Sequence, residues 1–369
     1  MNIHSRNLSL DVFRGLTVCF MIIVNTSGSG DYTYGPLKHA VWHGFTPTDL
    51  VFPSFLFAVG SALYFSRLSW AHFSASQVYR RILKRTAIIF LLGFLMYWFP
   101  FVRHADNGLQ FIPITETRIL GVLQRIALCY GVAALLIYWM DWKKILAIAA
   151  AVLLVYWGLM AWGGDYSMLA NLGQKVDLKI LGEKHMYHGE GVAFEPEGIL
   201  STLPSLANVL FGFLVTYYLE KVGRQPAQLL RLFLVGAGLV LLSWAWHESI
   251  PINKKLWTSS FVLTTVGWDM IILSALIYLI DQLKWQSWTG FFLVPGRNPL
   301  AVYLFSEILA ILLFFFLTPD GRSYYSTIYT SVFQPIGNYF GSFMFAIVFM
   351  LICWLFGYYL DKRGIFLKA

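Results

Sequence analysis

Apolar stretches of helical length recur along the chain at about residues 9–25, 48–66, 82–99, 119–139, 144–162, 201–219, 229–246, 259–280, 299–317 and 341–360, with polar segments between them. Each approaches the roughly 20 residues an α-helix needs to cross the hydrocarbon core of a bilayer. The pattern predicts an all-α, polytopic transmembrane helical bundle of ten spans. The apolar run Trp288 to Val294, interrupted by Gly290, predicts a re-entrant piece or a short additional helix, which would raise the count to eleven. No repeat links the two halves, which counts against the internally symmetric transporter architectures. One domain over residues 1–369 is expected, with a long external loop at 163–198.

Composition agrees with this pattern. Hydrophobic residues make up 58% of the chain and charged residues 12%, about half the charged fraction of a soluble domain. Ten spans place both termini on one side. When helix-end residues are assigned to the nearer face, that side carries 17 of the 27 Lys and Arg, the opposite side nine, and Arg125 alone lies within a span. The excess predicts cytoplasmic N- and C-termini, with the segment around His39 on the external side. The net charge of +8 is therefore a topology signal and gives no reason to expect nucleic acid as a partner. A positive residue precedes the first apolar run, but no small-residue cleavage site follows, so the first span is expected to be retained. Cys19, Cys129 and Cys353 fall inside spans, where they act as small hydrophobes, without metal or disulfide spacing.

The chemistry concentrates where polar residues meet span ends. Lys38-His39-Ala40-Val41-Trp42-His43-Gly44 precedes Thr46-Pro47-Thr48-Asp49, which reads as a helix start with proline in the first turn and a carboxylate beside the positive helix end. His39 is a candidate for proton or acyl transfer at the membrane surface. Asp49, ten residues on, can cap the helix or orient the imidazole, and His43 reads as an interfacial histidine bonded to backbone. Asn25 ends the first span and is followed by a mobile glycine-rich loop. Asp11 and Arg14, three apart on one helical face, suit an ion pair or an anion site at the inner end. Arg118 and Arg125, seven apart, are expected on one face of a helix beginning at Thr115, neutralising Glu116, Asp49 or Glu197 or cradling a phosphate or thioester oxygen. Asp269 and Glu307 are intramembrane carboxylates that can pair with Arg125 or relay protons, which leaves a proton-coupled transporter open. The 163–198 loop reads as a hydrated connector over the helices. Its His185-x-x-His188 spacing lacks the further ligands a zinc site needs, so no metal is expected.

Several of these segments together resemble the membrane-bound heparan-alpha-glucosaminide N-acetyltransferase family and its bacterial relatives. They are Ser9 to Gly15, Lys38 to Gly44 with Asp49 to Pro53, Arg118 to Arg125, Glu195 to Leu200, Asn253 to Thr258 and Pro295 to Asn298. The resemblance implies an enzyme that takes acetyl-CoA as co-substrate from the cytoplasmic side and acetylates an amino sugar on the other side, in the inner membrane of a bacterium. It also suggests a homo-oligomer, as a dimer. His39 matches the family's active-site histidine and Asn25 the asparagine beside it. Arg118 and Glu197 fall on positions important for integrity or activity. The chain starts without the long amino-terminal extension of the lysosomal members. Within this picture His39 serves as base or as acetyl carrier, and the Asn25 amide is a donor to the thioester oxyanion. The nucleotide end of CoA is expected among Arg14, Arg81, Lys84, Arg85, Arg125 and Arg297. Glucosamine or a glucosaminide is the leading acceptor, with O-acetylation of an envelope polysaccharide as the alternative.

Overall fold

The computed structural model describes residues 7–367. Arg6 and Lys368, two of the cations assigned to the inner face, lie outside that range. Helix α1 (Leu8–Asn25) is opened by Asn7, whose side chain accepts from the Leu10 amide at 3.3 Å. Helix α2 (Pro47–Trp70) follows, then α3 (Ala75–Trp98), opened by a reciprocal Ser74–Gln77 capping box. A hairpin departs from the all-helical expectation. Strands β1 (Val102–Ala105) and β2 (Gly108–Phe111) pair antiparallel, with Val102 opposite Phe111 and Ala105 opposite Gly108.

Helices α4 (Val122–Trp139) and α5 (Trp142–Gly163) lead to a short α6 (Leu172–Ile180) inside the 163–198 loop. The bundle continues with α7 (Thr202–Val222), α8 (Pro226–His247) and α9 (Ser259–Ile277). It closes with α10 (Thr289–Arg297), α11 (Pro299–Phe315), the short α12 (Tyr324–Ile328) and α13 (Asn338–Lys362). Each of the ten apolar stretches contains a helix.

Among the described residues eight helices are long and apolar enough to cross a membrane. A ninth span results if α10 and α11, bent by 81° at their junction, count together. The short helix expected at Trp288 to Val294 is thus α10. Ten spans would also require α3, whose first half carries Arg80, Arg81, Lys84 and Arg85 and is too charged to qualify by composition.

Helix α2 runs through the middle of the bundle and crosses α7 at paired glycines. A Cβ on Gly60 would lie 1.8 Å from the Val209 carbonyl oxygen, and one on Gly212 would lie 2.0 Å from that of Phe57, so neither position admits a side chain. Close backbone approach of this kind gives membrane helices the packing that hydrophobicity cannot supply between them in lipid. Helices α5 and α8 lie at the periphery, with Leu154, Leu230, Leu241 and Trp244 exposed. The 163–198 loop is packed over one end of the bundle, with Asn171, Gln174 and Asp177 buried and Trp42 donating to the Tyr166 carbonyl at 2.8 Å.

Candidate functional site

At that same end, where α1 finishes and α2 begins, a cavity of about 270 Å³ is lined by Asn25, His39, Asp49, Arg118, Glu197 and Lys254, among others. The start of α2 builds it. Asp49 Oδ2 accepts from the Thr46 amide at 3.0 Å and from the Ala40 amide at 3.1 Å, closing the first turn, while Oδ1 lies 2.7 Å from His39 Nδ1. Asp49 therefore caps the helix and orients the imidazole at once. A buried carboxylate on Nδ1 fixes the proton there and leaves Nε2 as the acceptor nitrogen. The His39 side chain retains 43% of its surface, enough for a ligand to reach Nε2. Burial lowers its pKa from the ordinary imidazole value, the Asp49 hydrogen bond works against that, and the nearby Lys254 charge lowers it further.

The glycine-rich segment after Asn25 is tied down: Ser29 donates its amide to Ser342 Oγ at 3.1 Å, and Tyr325 donates its hydroxyl to the Ser27 carbonyl at 2.8 Å. His43 differs from expectation, its Nδ1 accepting from the Asn253 side-chain amide at 3.3 Å instead of meeting backbone.

Arg118 forms the opposite wall. It donates from Nε and Nη2 to the two Glu195 oxygens at 2.9 and 2.5 Å and from Nη2 to Glu197 at 2.6 Å. Its guanidinium lies between the rings of Tyr97 and Tyr187, at 4.7 and 4.8 Å. The expected helical face shared with Arg125 does not exist, because α4 begins only at Val122 and Arg118 sits in irregular chain before it. The break falls at Gly121, an extended residue pressed against the Tyr97 ring so closely that no Cβ fits. Glu116 pairs with Arg103, at 3.0 Å, and not with Arg118.

Arg125 is buried, lines neither this cavity nor the one described next, and donates to Ser201 Oγ and the Gly198 carbonyl, with its guanidinium 4.8 Å from the Trp257 ring centroid. The pairing of Arg125 with Asp269 or Glu307 does not form either. Asp269 accepts from the Ser54 hydroxyl, and Glu307 has no ion-pair partner among the described residues. His185 Nδ1 donates to the Thr117 carbonyl at 2.7 Å, and His188 Nδ1 donates to the Met186 carbonyl at 3.0 Å. No group of three or more His, Cys, Asp or Glu among the described residues is arranged to hold a metal.

A second cavity, of about 360 Å³, continues toward the other end of the bundle along the same helices. On α2 the first cavity takes Thr48 to Phe52 and the second Phe55 to Ser66; on α4 they divide between Val122 and Leu123, and on α11 between Tyr303 and Leu300. From Asp49 to Ser66 the α2 axis covers about 25 Å at 1.5 Å per residue. Its far rim carries Arg14, Arg85 and Arg297 with Ser66 and Tyr130, and no acidic residue lines it among those described. Arg14 pairs with Asp11 at 3.0 Å, Arg297 with Asp361 at 3.0 Å, and Arg85 lies over the Tyr130 ring at 4.7 Å. Arg81 stacks on Phe73 at 3.5 Å, and neither it nor the exposed Lys84 lines this cavity.

Glu195 and Lys254 escaped the sequence reading as site residues. Both sat inside segments already singled out, Glu195-Pro196-Glu197 and Asn253 to Thr258, and charged residues clustered beside predicted spans were the available signal.

The fold and the two cavities define a multi-pass helical membrane protein with a polar chamber at one end and a cationic mouth at the other. A family model described as heparan-alpha-glucosaminide N-acetyltransferase, catalytic, matches residues 6–221, and the chain belongs to that family. It is 29% identical over 360 residues to heparan-alpha-glucosaminide N-acetyltransferase of Mus musculus, covering 81% of this chain and 53% of that protein. To the protein of the same name from Homo sapiens it is 29% identical over 359 residues, covering 81% and 52%. The chain spans about half the length of these curated relatives.

Proposed function

We propose that this protein is a transmembrane acetyltransferase, moving the acetyl group of acetyl-CoA from the arginine-lined end of the bundle to the amine of glucosamine or a glucosaminide at the His39 end. One observation carries the reading: an Asp49-oriented imidazole opens into a chamber, and farther along the same helices a largely apolar shaft carries three arginines at its mouth. The shaft suits a long flexible arm with phosphates at its outer end, since arginine favours phosphate and apolar walls suit the arm. We assign the nucleotide to Arg14, Arg85 and Arg297. The excess of cations at that end supports a cytoplasmic orientation, with α3 and the α10–α11 pair completing ten spans of one domain and His39 facing outward across a bacterial inner membrane.

A free sugar amine is largely protonated at neutral pH. His39 Nε2 removes the proton as the amine attacks, or itself carries the acetyl group between two half-reactions. The Asn25 side chain lines the same chamber without a hydrogen-bond partner among the described residues and is available to the acyl oxygen. Arg118, held by Glu195 and Glu197, shapes the wall opposite.

The test is CoA release from acetyl-CoA by purified protein, with and without glucosamine, in the wild type and in His39→Ala. Acceptor-dependent release that falls about 1,000-fold in a folded variant supports the reading. Absence of release with every amine and sugar hydroxyl tried contradicts it, and a preference for hydroxyl acceptors shifts the reaction to O-acetylation.

A further inference from the structure

The loop between α8 and α9 is built to present one lysine. Asn253 Oδ1 accepts from the Leu256 amide at 2.8 Å, Thr258 Oγ1 accepts from the Asn253 amide at 3.0 Å, and Trp257 adopts a left-handed φ of 53°. Trp257 is locked by its indole N–H, which donates to Asn208 Oδ1 at 3.0 Å. Lys255 is spent on structure, 2.6 Å from Glu190 and 3.2 Å from the Val41 carbonyl. Lys254 has no such anchor. Its nearest carboxylate oxygen, on Asp49, is 4.0 Å away, and its Nζ stands 3.1 Å from His39 Nδ1 and 3.1 Å from Nε2.

Equal distances to both ring nitrogens fix the direction of approach. In the ring plane, the point equidistant from Nδ1 and Nε2 is blocked by Cε1 on one side and by the rest of the ring on the other, so Nζ lies over the imidazole face. The ammonium therefore leaves the Nε2 lone pair free in the plane and stands over the ring beside it, on the face from which it can reach a group held at Nε2. When that carbon becomes tetrahedral, its oxygen leaves the trigonal plane, and the face of the ring that Lys254 covers is where an ammonium can meet it.

We propose that Lys254 is a catalytic residue whose ammonium, standing over the His39 imidazole, receives the oxyanion of the acyl-transfer intermediate. The inference rests on the acetyl-transfer reading. In direct transfer the amine nitrogen bonds to the thioester carbon while its proton passes to Nε2, and the carbonyl π pair moves onto oxygen against Lys254. As that pair returns, the C–S bond breaks, the thiolate takes the proton back from His39, and the amide is left. Lys254 keeps its own protons throughout. If Nε2 attacks first, the same oxygen carries the charge in both half-reactions.

The charged groups facing His39 agree with this division of work. Asp49 comes from α2, Lys254 and Lys255 from the loop before α9, and Arg118, Glu190 and Glu197 from the walls of the chamber. Lys254 is the nearest cation. Burial lowers its own pKa from the ordinary ammonium range; the Asp49 and Glu197 charges act against that, and the Lys255 charge adds to it.

Lys254→Met and Lys254→Gln test the proposal, each with two readouts: steady-state transfer, and the pH dependence of His39 carbethoxylation by diethyl pyrocarbonate without substrates, mapped by peptide mass spectrometry. Neutral imidazole is the reactive form, so the second readout follows His39 ionisation independently of turnover. The expected result is a fall in kcat of about 100- to 1,000-fold at unchanged KM for acetyl-CoA, together with a carbethoxylation midpoint moved to higher pH. Lys254→Arg is expected to restore the low midpoint and part of kcat. If the Met variant does not fold, the Gln variant carries the test at the same thresholds. A variant within a few-fold of wild-type kcat, or one that loses kcat with the midpoint unmoved, overturns the proposal while leaving acetyl transfer standing. A wild type that releases no CoA overturns the acetyl-transfer reading, and the proposal with it.

Discussion

The two cavities share four helices, α1, α2, α4 and α11, and divide their chemistry sharply. Around His39 charges are answered from distant parts of the chain: Arg118 by Glu195 and Glu197, Lys255 by Glu190, and Asp49 by Lys254 at 4.0 Å, beside its local hydrogen bond with His39. At the other mouth three arginines meet no acid within the cavity lining, and the acids that pair with two of them, Asp11 and Asp361, lie outside it. Cross-paired charges hold reactive groups in one geometry at little net charge, whereas arginines gathered on a lining that holds no acid attract an anion and leave its orientation to the walls. On the proposed function, chemistry falls to one end and ligand capture to the other.

The largest separation between the ends is expected from Asp49→Asn. It removes the carboxylate that fixes the His39 tautomer, and turnover should fall about 1,000-fold with acetyl-CoA binding retained in a calorimetric titration. An effect on KM alone would place Asp49 in ligand capture instead. Next in size, Arg118→Met strands Glu195, whose side chain is fully buried. The expected cost is about 3 kcal/mol of stability, read by thermal unfolding in detergent; an unchanged unfolding temperature would make the triad a surface-like pair. At the cationic mouth Arg85→Ala is expected to raise KM for acetyl-CoA about tenfold with kcat nearly unchanged, the mark of lost uniform binding. A fall in kcat without a KM change would erase the distinction between the ends.

Much of this was legible in the sequence, for definite physical reasons. Asn25, His39 and Asp49 converge because α1 ends and α2 begins within a short connection, and Thr46-Pro47-Thr48-Asp49 announces its own cap. Lys254 and Glu195 reach their partners across 215 and 77 residues, and local periodicity is silent about contacts of that range. Arg118 and Arg125 show the opposite failure. Their spacing implies a shared face only if the helix is continuous, and Gly121 breaks it. The span count ran ahead of composition at α3, where the same arginines that signal orientation lower the apolar content of the segment.

The smallest expected effect concerns the support of the chamber. Asp177 on α6 accepts from the Ile199 amide at 2.8 Å, beneath the turn that carries Glu195 and Glu197. Burial raises its carboxyl to about 6, with the Ile199 hydrogen bond and Arg125 opposing. The folded state therefore holds this proton more tightly than the unfolded one. The stabilisation is complete below about pH 4 and is lost as pH rises through about 6. Asp177→Asn keeps a carbonyl acceptor without the charge, so its unfolding temperature should equal that of the wild type near pH 4 and exceed it by a few degrees at pH 8. Equal temperatures at both pH values would show that the Asp177 charge is well solvated.

Passage of the acetyl group between the two ends is tested most directly in sealed proteoliposomes of one orientation, with acetyl-CoA added only at the arginine end and glucosamine trapped only at the His39 end. Acetylated glucosamine should accumulate in the trapped compartment while free CoA appears in the other. Product that forms only when both substrates share one compartment would contradict transfer through the bundle.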